Sequence, residues 1–313
     1  MTTPRATGAP LTGGVWLALA VVYAAWGSIF VGIKLTIQGF PPLGSMAVRF
    51  LIAGALMLVW VGWRDGRGAI ALGSVHEVNV ATLGVLLLGF GNGGNAIGQL
   101  LGVPSGTTAL IVATVPMFVV ALGLFEGNRP SPWSMGAIAL GVIGMAILVG
   151  GGSGAALPTT GVLAVLLGCL TWALGSWLQP RLLRPENPIA TASYQMLAAG
   201  VFLLFCAVVR GERLPSRVEP VSVAALGYLI VVGSIVGFTC YSWLLGRAPL
   251  NLIATHTFVN PVVAVSLGAA IAGEQLSGRV LAGGLVIVLA VVLTIADHVR
   301  RPGSAASPPA ETR

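Results

Sequence analysis

The residues able to bind a solute are few, and they lie inside long apolar runs. Tyr23, Trp26 and Ser28 share one run, in which Trp26-Gly27 makes a flat, aromatic-walled notch. Trp172, with Ser176 and Trp177, holds the corresponding place later in the chain. An aromatic face beside a glycine suits an aromatic or amphipathic solute; core packing or a seat in an interfacial belt is the plainer role. Trp26 and Trp172 lie too deep for a belt, whereas Trp60, Trp63 and Trp133 sit at run ends and read as belt residues. Asn92 and Asn95 are three apart and Gln99 follows four later, so all three share one helical face. Beside Gly91, Gly93 and Gly94, that polar strip lines a cavity or bonds a neighbouring helix. Thr107, Thr108, Thr114 and Pro116 are answered by Thr255, His256, Thr257, Asn260 and Pro261. A mid-helix proline frees a carbonyl as an acceptor for solute, so Pro116 and Pro261 are expected to be bends usable in gating. His256 is open to either a packing or a transport role. Arg49, about six residues into its run, is expected to snorkel to the nearby surface; attraction of a substrate carboxylate is the alternative.

What is missing narrows the chemistry. The acids Asp65, Glu77, Glu126, Glu186, Glu212, Glu219, Glu274, Asp297 and Glu311 all fall at run ends, in loops or in the tail. A proton-coupled carrier commonly buries a carboxylate in the membrane, where burial raises its pKa. Here, charge handling inside rests on Arg49, His256 or nothing. His76, His256 and His298 are far apart, and no activated nucleophile, base or metal cluster is assembled, so neither a catalytic residue nor a metal site is expected. No GxxxxGK[ST] loop is present to cradle ATP. Cys169, Cys206 and Cys240 lie within apolar runs and read as packing residues. No cofactor is expected.

The elements that must position these residues follow from composition. Hydrophobic residues make up 56% of the 313 and charged residues 8%, against about 25% charged in a soluble domain, so the chain has no polar coat for water. Ten runs are each long enough to cross a bilayer as a helix: about 14–33, 43–63, 78–99, 103–124, 132–150, 160–180, 190–209, 221–245, 249–273 and 278–297. Many of the 44 glycines suit close helix approach in a membrane, Gly136, Gly141, Gly144, Gly283 and Gly284 among them. The first run follows Arg5 and contains Ala18-Leu19-Ala20, yet it continues unbroken to Ile33, so it reads as an uncleaved crossing rather than a signal peptide. Residues 302–313, rich in Pro, Ala and Ser, read as a disordered tail.

The chain also reads twice. Pro42-Leu43, Arg49 and Gly54 recur as Pro188-Ile189, Gln195 and Gly200 at an offset of 146, and Pro104/Pro116 recur as Pro249/Pro261 at 145. Five crossings per half force the second copy to enter from the opposite side, an inverted repeat spanning 14–150 and 160–297. With the N-terminus inside, inner segments hold Arg5, Arg64, Arg67, Arg129, Arg181, Arg184, Arg247, Arg300, Arg301 and Arg313, against Lys34, Arg210, Arg213, Arg217 and Arg279 outside. That ten-to-five bias puts both termini and the 64–77 loop in the cytoplasm, and the 150–160 loop outside. The formal charge of +7 is spread among these loops and gives no nucleic-acid surface.

Trp26-Gly27-Ser28, Lys34, Pro41-Pro42 and Arg49-Phe50 resemble the opening of EamA-type proteins of the drug/metabolite transporter superfamily. Gly91-Asn92-Gly93, Val103-Pro104-Ser105-Gly106, Ala109-Leu110-Ile111 and Pro116 are similar to a bacterial exporter branch, and Asn260-Pro261 and Gly273-Glu274 are family-like. The resemblance implies an all-α integral membrane protein of ten transmembrane helices, built as two inverted five-helix EamA repeats. Its central cavity would come from spans one, three, four, six, eight and nine, with spans five and ten peripheral. It implies export of small metabolites, amino acids or amphipathic compounds by alternating access. The protein is expected in the inner membrane as a monomer or homodimer, with a small-molecule solute and the bilayer as partners. A facilitator or exchanger in the same fold, and a membrane enzyme or assembly subunit, are the alternatives. Gln99 stands where relatives often carry Glu, and Asn128 stands opposite Glu274, so neither position suits a proton relay. The expected substrate contacts are Tyr23, Trp26, Asn92, Asn95, Thr108, Trp172, His256 and Asn260.

Overall fold

The computed structural model describes residues 12–126, 131–149, 157–248, 250–275 and 277–300. Residues 302–313, Asn128 and Pro249 lie outside them. Ten helical spans cross the described molecule. They are α1 (Gly13–Thr36), α2 (Pro42–Arg64), α3 (Ser74–Gly84, Val85–Phe90 and Gly91–Leu100 in one run), α4 (Ser105–Val112 and Val115–Leu122) and α5 (Pro132–Val149). The second half repeats them as α6 (Thr159–Leu178), α7 (Pro188–Val209), α8 (Pro220–Tyr228, Leu229–Val236 and Gly237–Leu245), α9 (Leu250–Ile253 and His256–Ala272) and α10 (Gly278–Arg300). Eight spans are long and apolar enough to cross a membrane outright, and the helices of α9 and α10 are shorter apolar ones. Large apolar side chains such as Val59, Phe125, Val208 and Leu285 stand exposed on the outside, the side that only lipid can solvate.

Two devices recur at the repeat spacing. The middle of α3 (Val85–Phe90) and the middle of α8 (Leu229–Val236) are π-helical. Such wide turns shift the register of everything beyond them and gather at functional sites. Gly54 of α2 and Gly200 of α7, repeat mates, let these two helices approach each other. A methyl on Gly54 would lie 2.8 Å from the Ser193 carbonyl, and one on Gly200 would lie 2.7 Å from Leu51. Gly94 and Gly98, four apart on α3, press against the Ala164 and Gly161 carbonyls of α6 in the same way. The α5–α10 contact uses Gly144 and Gly283, whereas Gly136 meets nothing within 4 Å and is no packing glycine.

Helix starts are tied down by acids from the far half. Glu212 accepts from the Leu43 and Gly44 amides at the start of α2, at 3.3 and 2.8 Å. Glu274 accepts from the Ser105 and Gly106 amides at the start of α4, at 2.5 and 3.0 Å. Both satisfy orphan N–H groups and place negative charge at the positive end of a helix dipole. Gly273, at φ +64°, makes the left-handed turn that swings Glu274 back onto α4. Glu274 is thus a helix cap, which its place in the sequence does not announce.

The two kinks differ from expectation. Pro116 is the second residue of the second α4 segment, where a helix needs no N–H, and the break lies just before it at Ala113-Thr114. In α9, Pro261 sits inside His256–Ala272, and the break comes earlier, at Ala254-Thr255. Local side-chain bonding accounts for that shift. Thr255 Oγ1 donates to Leu252 O at 2.5 Å, Thr257 Oγ1 donates to Ala254 O at 2.9 Å, and His256 Nδ1 lies 2.8 Å from Ile253 O. Three consecutive carbonyls are satisfied by side chains, so the helix opens there without orphaning them.

Candidate functional site

The aromatic and polar residues of the bundle interior form two unlike halves. Trp26 of α1 stands in an aromatic cluster with α8 and α9. Its ring lies 5.3 Å from Phe238, 5.0 Å from Tyr241 and 5.1 Å from His256, measured between centroids. Two of the three contacts are edge-to-face, the arrangement that ring quadrupoles favour. Gly237 makes the room: a methyl there would lie 2.6 Å from Trp26 Nε1. Tyr23, one turn away on α1, donates its hydroxyl proton to Thr255 Oγ1, whose own proton is committed to Leu252 O. The same logic fixes the histidine tautomer. Because Ile253 O can only accept, Nδ1 of His256 carries the proton and Nε2 is left as the acceptor.

The other half is built on α3. Trp172 of α6 packs on Gly91, where a methyl would lie 2.6 Å from its ring. The pair Trp172/Gly91 is the repeat mate of Trp26/Gly237, each member displaced by the same offset. Two residues that flank Gly237 in the aromatic half, Phe238 and Tyr241, are replaced at the mate positions by Asn92 and Asn95. One half therefore offers rings and the other offers amides. Asn92 and Asn95 are buried, as is Gln99 further along the same face. Among the described residues, Asn95 Oδ1 and both polar atoms of the Gln99 amide have no hydrogen-bond partner. Orphaned polar atoms at such depth are uncommon, which makes this strip a candidate polar contact.

Arg49 joins the two halves, and its position overturns the snorkelling expectation. It is 1% exposed. Nε donates to Ser234 Oγ at 2.9 Å, on the π segment of α8. Nη1 donates to Asn92 Oδ1 at 3.3 Å, just past the π segment of α3. The Phe50 ring lies 4.8 Å from the guanidinium carbon. Depth along α2 is not what decides this burial; bonding partners on α3 and α8 are.

The remaining expected residues fall outside this cluster or at its edge. Thr108 is buried and donates to Pro104 O, one turn back on its own helix, so its hydroxyl is used locally. Asn260 stands beside the aromatic half: its carbonyl would be 3.3 Å from a methyl on Gly27, and its Oδ1 is buried without a partner among the described residues. Gly27 itself is filled by Val263 of α9, at 2.6 Å from the same methyl, so it is a helix contact and not a solute notch. Ser234, Phe238 and Tyr241 escape a sequence reading because they sit in an unbroken apolar run. Aligning the two repeats would have found the last two, as the mates of Asn92 and Asn95. Two cavities, one of about 360 Å³ beside Phe40 and Arg217 and one of about 680 Å³ between Val80 and Phe202, are lined by none of Trp26, Arg49 and His256.

Comparison with known proteins places these features in a family. The model of the EamA-like transporter family matches residues 12–150 and again 159–296. The uncharacterized inner membrane transporter YedA of Escherichia coli (strain K12) is 35% identical over 284 residues, covering 90% of this chain and 91% of its own. A protein of Salmonella typhimurium (strain LT2) named "Probable amino-acid metabolite efflux pump" is 26% identical over 290 residues, covering 90% and 94%. One solved crystal structure, 18% identical, matches with a TM-score of 0.62 over 92% of this chain and 98% of that one, a likeness of fold.

Proposed function

This chain belongs to the EamA-like transporter family, a multi-pass membrane transporter, and from that premise we propose that it exports a small amphipathic metabolite by alternating access between its two inverted halves. The observation that carries the proposal is the unlike pair of repeat mates. Trp26 with Phe238 and Tyr241 offers an apolar, aromatic wall, while Trp172 with Asn92 and Asn95 offers amides. A solute with one greasy and one polar end matches both walls at once. Tyr23, His256 and Asn260 complete the aromatic side, and Thr108 supports the start of α4 rather than touching solute. The breaks before Pro116 and His256 give α4 and α9 hinges at which each half can rock. The reading is of a carrier without a cofactor, acting as a monomer or homodimer on solute and lipid, not of an enzyme.

Flux through purified protein in proteoliposomes tests this. Counterflow of an amphipathic metabolite such as an amino acid is expected, and flux of no member of a panel of amino acids, sugars and cationic drugs would sink the proposal. Flux that persists without a proton gradient would assign the facilitator mode.

We place the protein in the inner membrane with both termini in the cytoplasm. Besides the excess of basic loops, α2, α6 and α8 each end in a Trp followed four residues later by an Arg. The guanidinium carbons of Arg64, Arg181 and Arg247 lie 5.1, 4.2 and 4.4 Å from the rings of Trp60, Trp177 and Trp243. Successive crossings bring those three helix ends to one face, where ring and cation together suit the headgroup layer of the basic side. Single cysteines in a background lacking Cys169, Cys206 and Cys240 report the sidedness. A label at 68 should react only from inside and one at 214 only from outside; the reverse would invert the orientation.

A further inference from the structure

We infer that the transported solute carries a carboxylate and that Arg49 is the residue that selects it, an assignment that rests on the central site proposed above. A guanidinium keeps its proton under all ordinary conditions, so the charge at position 49 is permanent. It is 1% exposed. Its partners are Ser234 Oγ, Asn92 Oδ1 and, at 3.9 Å, Met46 Sδ, all neutral. The ion pairs described elsewhere, Arg64–Asp65 and Arg210–Glu212, involve other residues. Among the described residues no carboxylate reaches Arg49, so a buried cation stands without a counter-charge. Natural proteins pair such a group or give it a ligand.

The unused donors have a direction. Nε and Nη1 are occupied, and the two N–H bonds of Nη2 take no partner among the described residues. Nη2 packs close to the Gly233 backbone: a methyl there would lie 3.2 Å from it and 2.9 Å from Ile29 Cγ2. Gly233, in the π segment, and Gly237 and Tyr241 beyond it follow at four-residue steps along α8. Gly237 carries the edge of Trp26, and Tyr241 lies against the same ring. A carboxylate on Nη2 thus leaves the rest of a small molecule lying along Trp26 and Tyr241, one to two turns away. The repeat mate of Arg49 is Gln195, also buried, with its Nε2 unpartnered among the described residues. A single cation in a pseudo-symmetric site selects one anionic group and gives the solute one orientation. Zwitterionic and acidic metabolites fit this arrangement; amphipathic cations are repelled by it.

The test is selectivity within matched pairs. Proteoliposomes containing the full chain are assayed by counterflow with each proteinogenic amino acid, its amide and its decarboxylated amine, alongside sugars and cationic drugs. Wild type should carry at least one acid about tenfold or more faster than its amide and amine, the scale of a charge-assisted bond. Arg49→Gln should bring that ratio close to one, and Arg49→Lys should keep part of it. Ser234→Ala, which leaves the charge and removes only its Nε partner, should lower the ratio less. Because the ratio is taken within one preparation, it does not depend on how much variant folds, and a purely structural arginine would leave it unchanged. Amides or amines carried as fast as their acids, flux confined to sugars and drugs, or an Arg49→Gln ratio equal to wild type would each overturn the inference while leaving a transporter. No flux of any panel member would remove the proposed function itself.

Discussion

Replacing Trp26 with alanine should weaken solute affinity by roughly five- to 150-fold while the protein remains folded in the membrane. Loss of one aromatic wall removes on the order of 1–3 kcal/mol of stacking and apolar contact, and about 1.4 kcal/mol is tenfold. Trp26 is the ring shared by Phe238, Tyr241 and His256, so the change opens the whole aromatic half. Trp133, 64% exposed near the start of α5, serves as the control. Its truncation should leave affinity unchanged, since it faces lipid. Substrate concentration dependence of counterflow, normalised to folded protein by size-exclusion recovery, separates affinity from yield. Equal affinity in wild type and Trp26→Ala would take this residue out of the site.

A second large effect is expected from one methyl group. Gly237→Ala puts a carbon 2.6 Å from Trp26 Nε1 and 3.0 Å from its Cδ1, well inside contact distance. The indole must move, and its packing against Phe238 and Tyr241 moves with it. Overpacking of this kind typically costs about 1–3 kcal/mol, so transport should fall about tenfold with the ring still present. Gly136→Ala is the matched control, because nothing lies within 4 Å of its added carbon. Comparable rates for the two variants would mean that the exact seat of Trp26 is irrelevant to the cycle. Together with Trp26→Ala, the pair distinguishes the presence of the ring from its placement.

The two faces of the bundle are tied together by different groups. Glu212 and Glu274 both come from the second half and cap α2 and α4 of the first, at the face where those helices begin. At the opposite face, Asn187 caps α7 with its own side chain and donates to Asp65 at 3.0 Å. Both faces thus use a carboxylate as acceptor, on backbone amides at one and on the Asn187 side chain at the other.

How much of this was legible in the chain depends on the range of the interaction. Ten crossings, the doubling of the chain and the depth of Trp26 and Trp172 follow from hydrophobic run length, from an offset and from position along a run. Each of these is a property of one segment or of a spacing, and the bilayer makes them decisive because it leaves backbone polar groups only the helix. The prolines mark the right helices for the same local reason, although the α9 break moved to where Thr255, His256 and Thr257 could satisfy the carbonyls. What only tertiary structure decided is which side chains meet. Arg49 looks like a snorkelling residue near the start of a helix until Ser234 and Asn92, 185 and 43 residues away, are seen to hold it inside. Tyr241 and Phe238 look like two more apolar residues until α1 brings Trp26 against them. Gly27 looks like a notch until Val263 fills it. Burial of a charge and assembly of a ring cluster are sums over distant segments, and no run of the sequence holds those sums before the helices pack.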